Sequence, residues 1–560
     1  MAALAQIDTH TTSGDGLPPE PPRPPDEPAP PSEPPGPRRR IADNTAIFAV
    51  ATAISRVAGM AREVVQAAFF ATTAAASAFT LASQVPNLFS NLFSQAALSA
   101  AFVPVFTELL TKGRKREAFR LATTLFWVIL IALGALTLLW LGVADLAAPL
   151  LTGSGGISNP LTAGLSRVLF PVVLLLSLTG LLVGILQSYD EFTIPAIAPA
   201  VWNLVILVGL IALYPRFHGE QQIYAYAVAW LAATVVQFLM VAAALRRVEF
   251  RLSFAFDWRD PRVKQVLILF LPVTMSIGII NLDIFLNAWL GSLVPPPAGT
   301  HAPAAINNAF RIYMLPQGIF SVAVATVLFP TLSRLAARKN ANGMRRAIGN
   351  GMRQINLLLI PSAALMLVLA TPITRLIYQH GRFGPYSTHL VSIALFWFAV
   401  SLPFSGINLL LTRTFFALQR PWIPTKLAAL NLVVDVIVSL ALYKPLGIAG
   451  LVIGTAAANI VMTWLQLRRL RMGFNGHLEL GQTLMMTTRI LVATVIMAAV
   501  AWSVWAGLDH LLGRALAAQA VAVGVALLVA CALYARLVLT MRVPEARQIQ
   551  QLISRRLRRP

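Results

Sequence analysis

The chain has 560 residues, 57% of them hydrophobic and 12% charged, with a mean hydropathy of +0.71. That balance excludes a soluble globule and makes an all-α polytopic membrane protein the expected class, so length sets no domain count. The 44 Lys and Arg against 22 Asp and Glu give a formal charge of +22, but the bases sit in short loops between apolar runs, which is a mark of topology rather than of nucleic-acid binding.

Taken from the start, residues 1–40 are Pro-rich and acidic and lack an apolar h-region, so they read as a disordered cytoplasmic tail. Arg38-Arg39-Arg40 at its end fix that side of the first span in the cytoplasm. At roughly 20 apolar residues per crossing, spans are expected near 43–70, 76–110, 118–150, 163–187, 193–214, 223–247, 262–294, 303–337, 346–378, 386–418, 424–443, 447–468, 482–508 and 514–540. That is about fourteen transmembrane helices. The loops expected inside hold Lys112 to Arg116, Arg246-Arg247, Arg338-Lys339, Arg420 and Arg468-Arg469, whereas 152–164 and 294–303 are nearly free of bases. The C-terminal Arg555 to Arg559 also falls inside, so both termini are expected to be cytoplasmic.

The first span carries charge where hydrocarbon would make it costly: Arg56 and Arg62 lie in Ser55-Arg56-Val57-Ala58-Gly59-Met60-Ala61-Arg62-Glu63. Arg311 interrupts the eighth span. Each could snorkel or pair with a neighbouring helix, as Arg62 beside Glu63 could, but three cations together imply a cavity that receives an anion. In a straight helix Arg56 and Arg62 point about 120° apart. Gly59 between them allows either a bend that unites them or close helix packing.

An internal repeat runs through the chain. Leu186-Gln187, Ile194-Pro195, Asn203, Ala212-Leu213-Tyr214 and Arg246-Arg247 are echoed by Leu418-Gln419, Ile423-Pro424, Asn431, Ala441-Leu442-Tyr443 and Arg468-Arg469. Phe102-Val103-Pro104 is likewise echoed by Leu328-Phe329-Pro330. Two parallel six-helix lobes, 41–250 and 251–472, are expected about an axis along the membrane normal, with a cavity between them. Two extra helices in 473–543 and a basic tail at 544–560 complete the chain. Cys531, in the last span, reads as inert packing. The seven histidines have no metal-ligand spacing, and no nucleotide-binding, nucleophile-elbow or HExxH motif occurs, so neither catalysis nor a bound organic cofactor is expected.

Ser55 to Glu63, together with Val85-Pro86-Asn87-Leu88, Ala101-Phe102-Val103-Pro104, Phe192 to Pro199 and Ala309-Phe310-Arg311 through Pro316, resembles the MurJ/MviN family of lipid II flippases. These belong to the wider class of multidrug, oligosaccharidyl-lipid and polysaccharide exporters. The resemblance covers the chain from about residue 43. It implies transfer of undecaprenyl-diphosphate-linked disaccharide-pentapeptide, lipid II, across the bacterial cytoplasmic membrane for peptidoglycan synthesis. The resemblance also implies that the two helices of 473–543 form a groove for the polyprenyl tail, and that membrane lipids and proteins of cell-wall synthesis or division would be the accompanying partners.

In such proteins a cationic cavity is lined by arginines of the first, second and eighth helices. Arg56, Arg62 and Arg311 match those of the first and eighth, with Ser55 beside them, while Asn91 stands where relatives often carry arginine. Gln95 and Ser77 replace acidic positions. Glu63 matches an acid associated with gating, a role in which Gly59 would share by bending. Asp283, Asn431, Asp435 and Thr455 resemble a sodium site in the second lobe; their oxygens suit a hard cation, although two buried acids hydrogen-bonded between helices is the plain alternative. A drug exporter would call for an acidic or aromatic pocket, and an enzyme acting on polyprenyl phosphate for acidic or histidine clusters near the interface. The sequence offers neither.

Overall fold

The computed structural model of the protein describes residues 37–92, 95–248, 250–251, 253, 257, 260–474, 479–547 and 550. Residues 1–36 of the expected tail, and Arg555 to Arg559, lie outside them. The described residues form eighteen α-helices and no strand. In chain order these are α1 (Pro37–Phe70), α2 (Ala74–Leu92), α3 (Gln95–Thr111), α4 (Lys115–Thr152), α5 (Asn159–Leu169), α6 (Pro171–Ser188), α7 (Thr193–Leu213), α8 (Ile223–Ala244) and α9 (Pro261–Gly291). They continue with α10 (Ala298–Pro316), α11 (Val322–Ala337), α12 (Ala341–Val368), α13 (Ala370–Tyr378), α14 (Pro385–Ala417), α15 (Trp422–Leu446), α16 (Ile448–Gly473), α17 (Leu480–Leu512) and α18 (Leu516–Thr540). Among the described residues, eleven helical stretches are long and apolar enough to cross a membrane. The protein is therefore a multi-pass membrane protein.

Local chemistry sets many of the boundaries. Ser158 Oγ accepts the amide of Leu161 ahead of α5, Asp260 accepts that of Arg262 ahead of α9, and Asn340 that of Gly343 in α12. Proline follows Ser158 and Asp260 in the first turn, where its missing N–H costs nothing. Pro37 likewise opens α1, so Arg38-Arg39-Arg40 form the first turn of the helix instead of the end of a tail. Gly447, at φ 56°, turns α15 directly into α16. Several expected single spans are interrupted. Between α10 and α11 the chain takes five π-helical residues, Gln317–Ser321, following Pro316, and α12 breaks at Leu369 before α13.

Within the first half, α1 packs on α7, α7 on α8, α2 on α5 and α3 on α6. Within the second, α10 and α12 pack on α14, and α16 lies against both α14 and α15. Helix α9 bridges the halves, touching α2, α3 and α15. Helices α17 and α18 pack on each other and reach the rest through α12 and α13. That attachment is pinned by a buried ion-pair cluster. Arg353 of α12 donates from Nε to Glu545 Oε1 at 2.5 Å and from Nη1 to Glu479 Oε2 at 3.4 Å, and Tyr534 of α18 donates to the Leu357 carbonyl at 2.7 Å. Cys531, expected as packing, is exposed on α18, because that face of the outermost helix turns to the bilayer.

Several hydrogen bonds joining the α1–α2 region to the second half lie at the base-poor ends of the helices. Thr72 and Ser387 hydroxyls lie 2.7 Å apart, His301 Nδ1 meets the Thr72 carbonyl at 2.5 Å, and the Arg382 amide donates to the Ala68 carbonyl at 2.8 Å. Gly381, at φ 59°, makes the last contact accessible, since a Cβ there would lie 2.6 Å from the same Ala68 oxygen.

Candidate functional site

Helix α1 presents two polar faces with different partners. Ser55 and Gly59 face α7, where Asn203 Nδ2 donates to the Ser55 carbonyl at 3.3 Å and a Cβ on Gly59 would sit 3.6 Å from the same nitrogen. Arg62, two turns beyond Ser55, lies on this side as well. It is only 6% exposed, with its guanidinium 5.1 Å from the Trp202 ring centroid and 5.4 Å from that of Trp230. Its Nη2 donates to Glu63 Oε1 at 2.5 Å, while Nε and Nη1 have no hydrogen-bond partner. Arg56 is exposed on the other side of the helix. Gly59 thus serves close packing against Asn203 within a continuous α1. Arg56 does not share the enclosed setting of Arg62.

Instead, Glu63 is the meeting point. Arg311 of α10 brings Nε to 3.7 Å from Glu63 Oε1, so one buried carboxylate faces a guanidinium from each half. Arg311 is the looser partner: its side chain is 40% exposed and its Nε makes no hydrogen bond. Asn91 Nδ2 donates to Asn281 Oδ1 of α9 at 2.6 Å, and buried Ser77 Oγ accepts the Ala304 amide at 3.4 Å, so both departures from the family pattern tie the halves together. The Gln95 side chain lies outside the described residues. A cavity of about 250 Å³ separates the halves nearby, with Thr80 and Gln84 of α2 opposite Asn307 and Phe310 of α10, and Asp283 and Thr455 at its far side.

The family model of lipid II flippase MurJ matches residues 66–521. The chain belongs to the MurJ lipid II flippase family. A probable lipid II flippase MurJ of Rhizobium meliloti (strain 1021) is 31% identical over 465 residues, covering 80% of this chain and 84% of the relative. A lipid II flippase MurJ of Burkholderia cenocepacia is 29% identical over 428 residues, covering 75% and 82%. Among solved structures, a lipid II flippase MurJ in an inward closed conformation superposes with a TM-score of 0.73 at 21% identity, covering 89% of this chain and all of that one. An inward-facing multidrug resistance MATE transporter gives 0.63 at 17% identity, covering 77% and 94%. The chain thus has a MurJ-like fold.

On the far side of the cavity, this MurJ family member gathers an oxygen-rich cluster. Thr455 Oγ1 of α16 lies 3.4 and 3.5 Å from the two carboxylate oxygens of Asp435 on α15, and Ser439 Oγ donates to Asp435 Oδ1 at 3.2 Å. Asn287 of α9 donates from Nδ2 to Asp435 Oδ2 at 2.9 Å, one turn from Asp283. Asn431 lies one turn before Asp435. Asp283 Oδ1 and Asn431 Oδ1 are both buried with no hydrogen-bond partner, while the Asp283 and Asp435 carboxyl groups also hydrogen-bond to each other, so the cluster pairs two acids between helices and leaves acceptors that suit a hard cation. Asn287 and Ser439 were not expected from the sequence. Each had a signal, Asn287 standing four residues after Asp283 and Ser439 four after Asp435. Gly454 allows the approach: a Cβ there would lie 2.8 Å from Asp435 Oδ1 and 2.1 Å from Ser439 Oγ.

Proposed function

We propose that the protein moves lipid II from the inner to the outer leaflet of the bacterial cytoplasmic membrane by alternating access, with no covalent step. Both termini lie in the cytoplasm, and about fourteen crossings form two six-helix lobes plus α17 and α18. The match of residues 66–521 to the flippase family carries this reading. The charge at α1 and α10 favours an anionic cargo over the cationic drugs that a similar fold could carry. Arg56 and Arg311 are the exposed guanidiniums, suited to meet a diphosphate through charge-assisted hydrogen bonds. A diphosphate oxygen at Arg311 replaces the long contact to Glu63 and so loosens a tie between the halves. Arg62 keeps Glu63 neutralised throughout.

Asp283, Asn431, Asp435 and Thr455, with Asn287 at the edge, would hold sodium in the second lobe, where it supplies a charge whose presence depends on the state of the lobe. Coupling requires that the two conformations bind the ion unequally. Depleting the protein in its host and identifying the lipid-linked precursor that accumulates tests the substrate. Accumulation of lipid II on the cytoplasmic side is expected, and accumulation of a different lipid-linked glycan would replace it.

Two further outcomes are expected. With Cys531 replaced by Ser, the pair Thr72→Cys and Ser387→Cys should form a disulfide that stops transport and is rescued by reductant, because it locks the base-poor end shut. Full transport in the oxidised state would show that this end need not open. Deleting residues 1–36 while keeping Arg38-Arg39-Arg40 should leave complementation unchanged, since a Pro-rich acidic segment buries little surface. Lost transport with normal insertion would assign the tail a regulatory role.

A further inference from the structure

We propose that the base-poor end of the second half holds an anionic glycerophospholipid of the outer leaflet, its phosphate at Arg375 and Arg514 and its acyl chain against Trp502 and Trp505. Two cavities, of about 250 and 410 Å³, adjoin there between α13 and α14 on one side and α17 and α18 on the other, sharing Thr371 and His389. They are separate from the cavity between the halves.

The first cavity is polar and cationic, lined by Arg375, Arg514, His380, His389, Gln379 and Gln519. Asp509 answers both arginines, at 3.9 Å from Arg375 Nη1 and 3.6 Å from Arg514 Nε, and also accepts from Gln519 Nε2 at 2.5 Å. One carboxylate against two guanidiniums leaves positive charge in excess. Arg375 Nη1 is buried with no hydrogen-bond partner, and so is Oε1 of Gln519, a residue only 2% exposed. A phosphate oxygen satisfies the first and a headgroup hydroxyl the second.

The second cavity is apolar and aromatic. Trp502 and Trp505 stand opposite Phe396 and Trp397, and Trp502 is 54% exposed, so the cleft opens sideways to hydrocarbon. Trp505 and Trp502 lie about 6 and 10 Å deeper along α17 than Asp509, from a rise of about 1.5 Å per residue. The order from the helix ends inward is therefore cation, hydroxyl acceptor, indole, hydrocarbon, as in a lipid. Trp505 Nε1 is itself buried without an acceptor. At the depth between headgroup and chain, an ester carbonyl meets it, and a glycerophospholipid has one whereas a polyprenyl phosphate has none. The polar cavity is also too small for a disaccharide-pentapeptide.

The test uses the full chain in phosphatidylcholine nanodiscs, reading quenching of tryptophan emission by phosphatidylglycerol with brominated chains. Phosphatidylglycerol should quench at lower mole fraction than brominated phosphatidylcholine. Arg375→Gln with Arg514→Gln should weaken that response roughly tenfold or more, and Arg514→Gln alone, at an exposed residue, about fivefold. Trp502→Phe with Trp505→Phe should remove the phosphatidylglycerol-specific part of the quenching. Equal quenching by both lipids, or an unchanged preference in Arg514→Gln, would overturn the proposal. So would full displacement of phosphatidylglycerol by equimolar undecaprenyl phosphate, which would make the ligand a lipid without an ester.

Discussion

Arg311→Ala is expected to abolish complementation of a flippase-depleted strain while expression and thermal stability stay near wild type. Its side chain is 40% exposed, and its tie to Glu63 is a 3.7 Å contact that water can replace. Arg62→Ala should behave differently. It removes the close partner of a buried carboxylate and empties the space beside two touching indole rings, a loss of about 3–5 kcal/mol for one member of a buried pair. Lower melting temperature together with lost transport is the expected result. Arg62→Lys should recover only part of either, because an ammonium keeps the charge but not the planar contact with Trp202 and Trp230. Growth supported by Arg311→Ala would remove Arg311 from substrate handling, and an Arg62→Ala protein as stable as wild type would contradict a structural role for that residue.

Asp435→Ala is expected to abolish any sodium dependence of the conformational equilibrium. This is read by spectroscopic reporters on both sides of the central cavity as choline is exchanged for sodium. Asp283→Ala should do the same, and Gly454→Ala should match them without removing a ligand, because its methyl group would press within 2.8 Å of Asp435 Oδ1. Should wild type show no sodium response, or both acid variants keep it, the acids are structural and the membrane potential becomes the leading energy source.

The helix boundaries were legible because apolar runs and their punctuation are local. The span expected at 118–150 is α4 (Lys115–Thr152), and that at 386–418 is α14 (Pro385–Ala417). The interruptions were less so. Pro171 and Pro316 stand in plain view, yet a hydropathy run continues across them, and only packing decides whether proline breaks a helix or bends it. The same holds at the site. The angular argument set Arg56 and Arg62 on different sides of the helix, but that Arg62 is the enclosed one depends on Trp202 and Trp230, more than 130 residues away in sequence. Glu63 could be read as the neighbour of Arg62. That it also reaches Arg311 is a tertiary fact. For the oxygen cluster, the i and i+4 pair on α15 was visible and Ser439 continues it by a further four residues on the same helix, whereas Asn287 enters through the approach of α9.

The clamp at Arg353 makes the molecule lopsided within its bilayer. Because α17 and α18 are fastened to α12 through Glu479, Glu545 and the Leu357 carbonyl, they ride as a fin on one half only. When the halves rock, the finned side sweeps more lipid than its counterpart. Membrane thickness and lateral tension therefore act on a longer lever on that side, and a change in bilayer composition shifts the conformational balance without touching the central cavity.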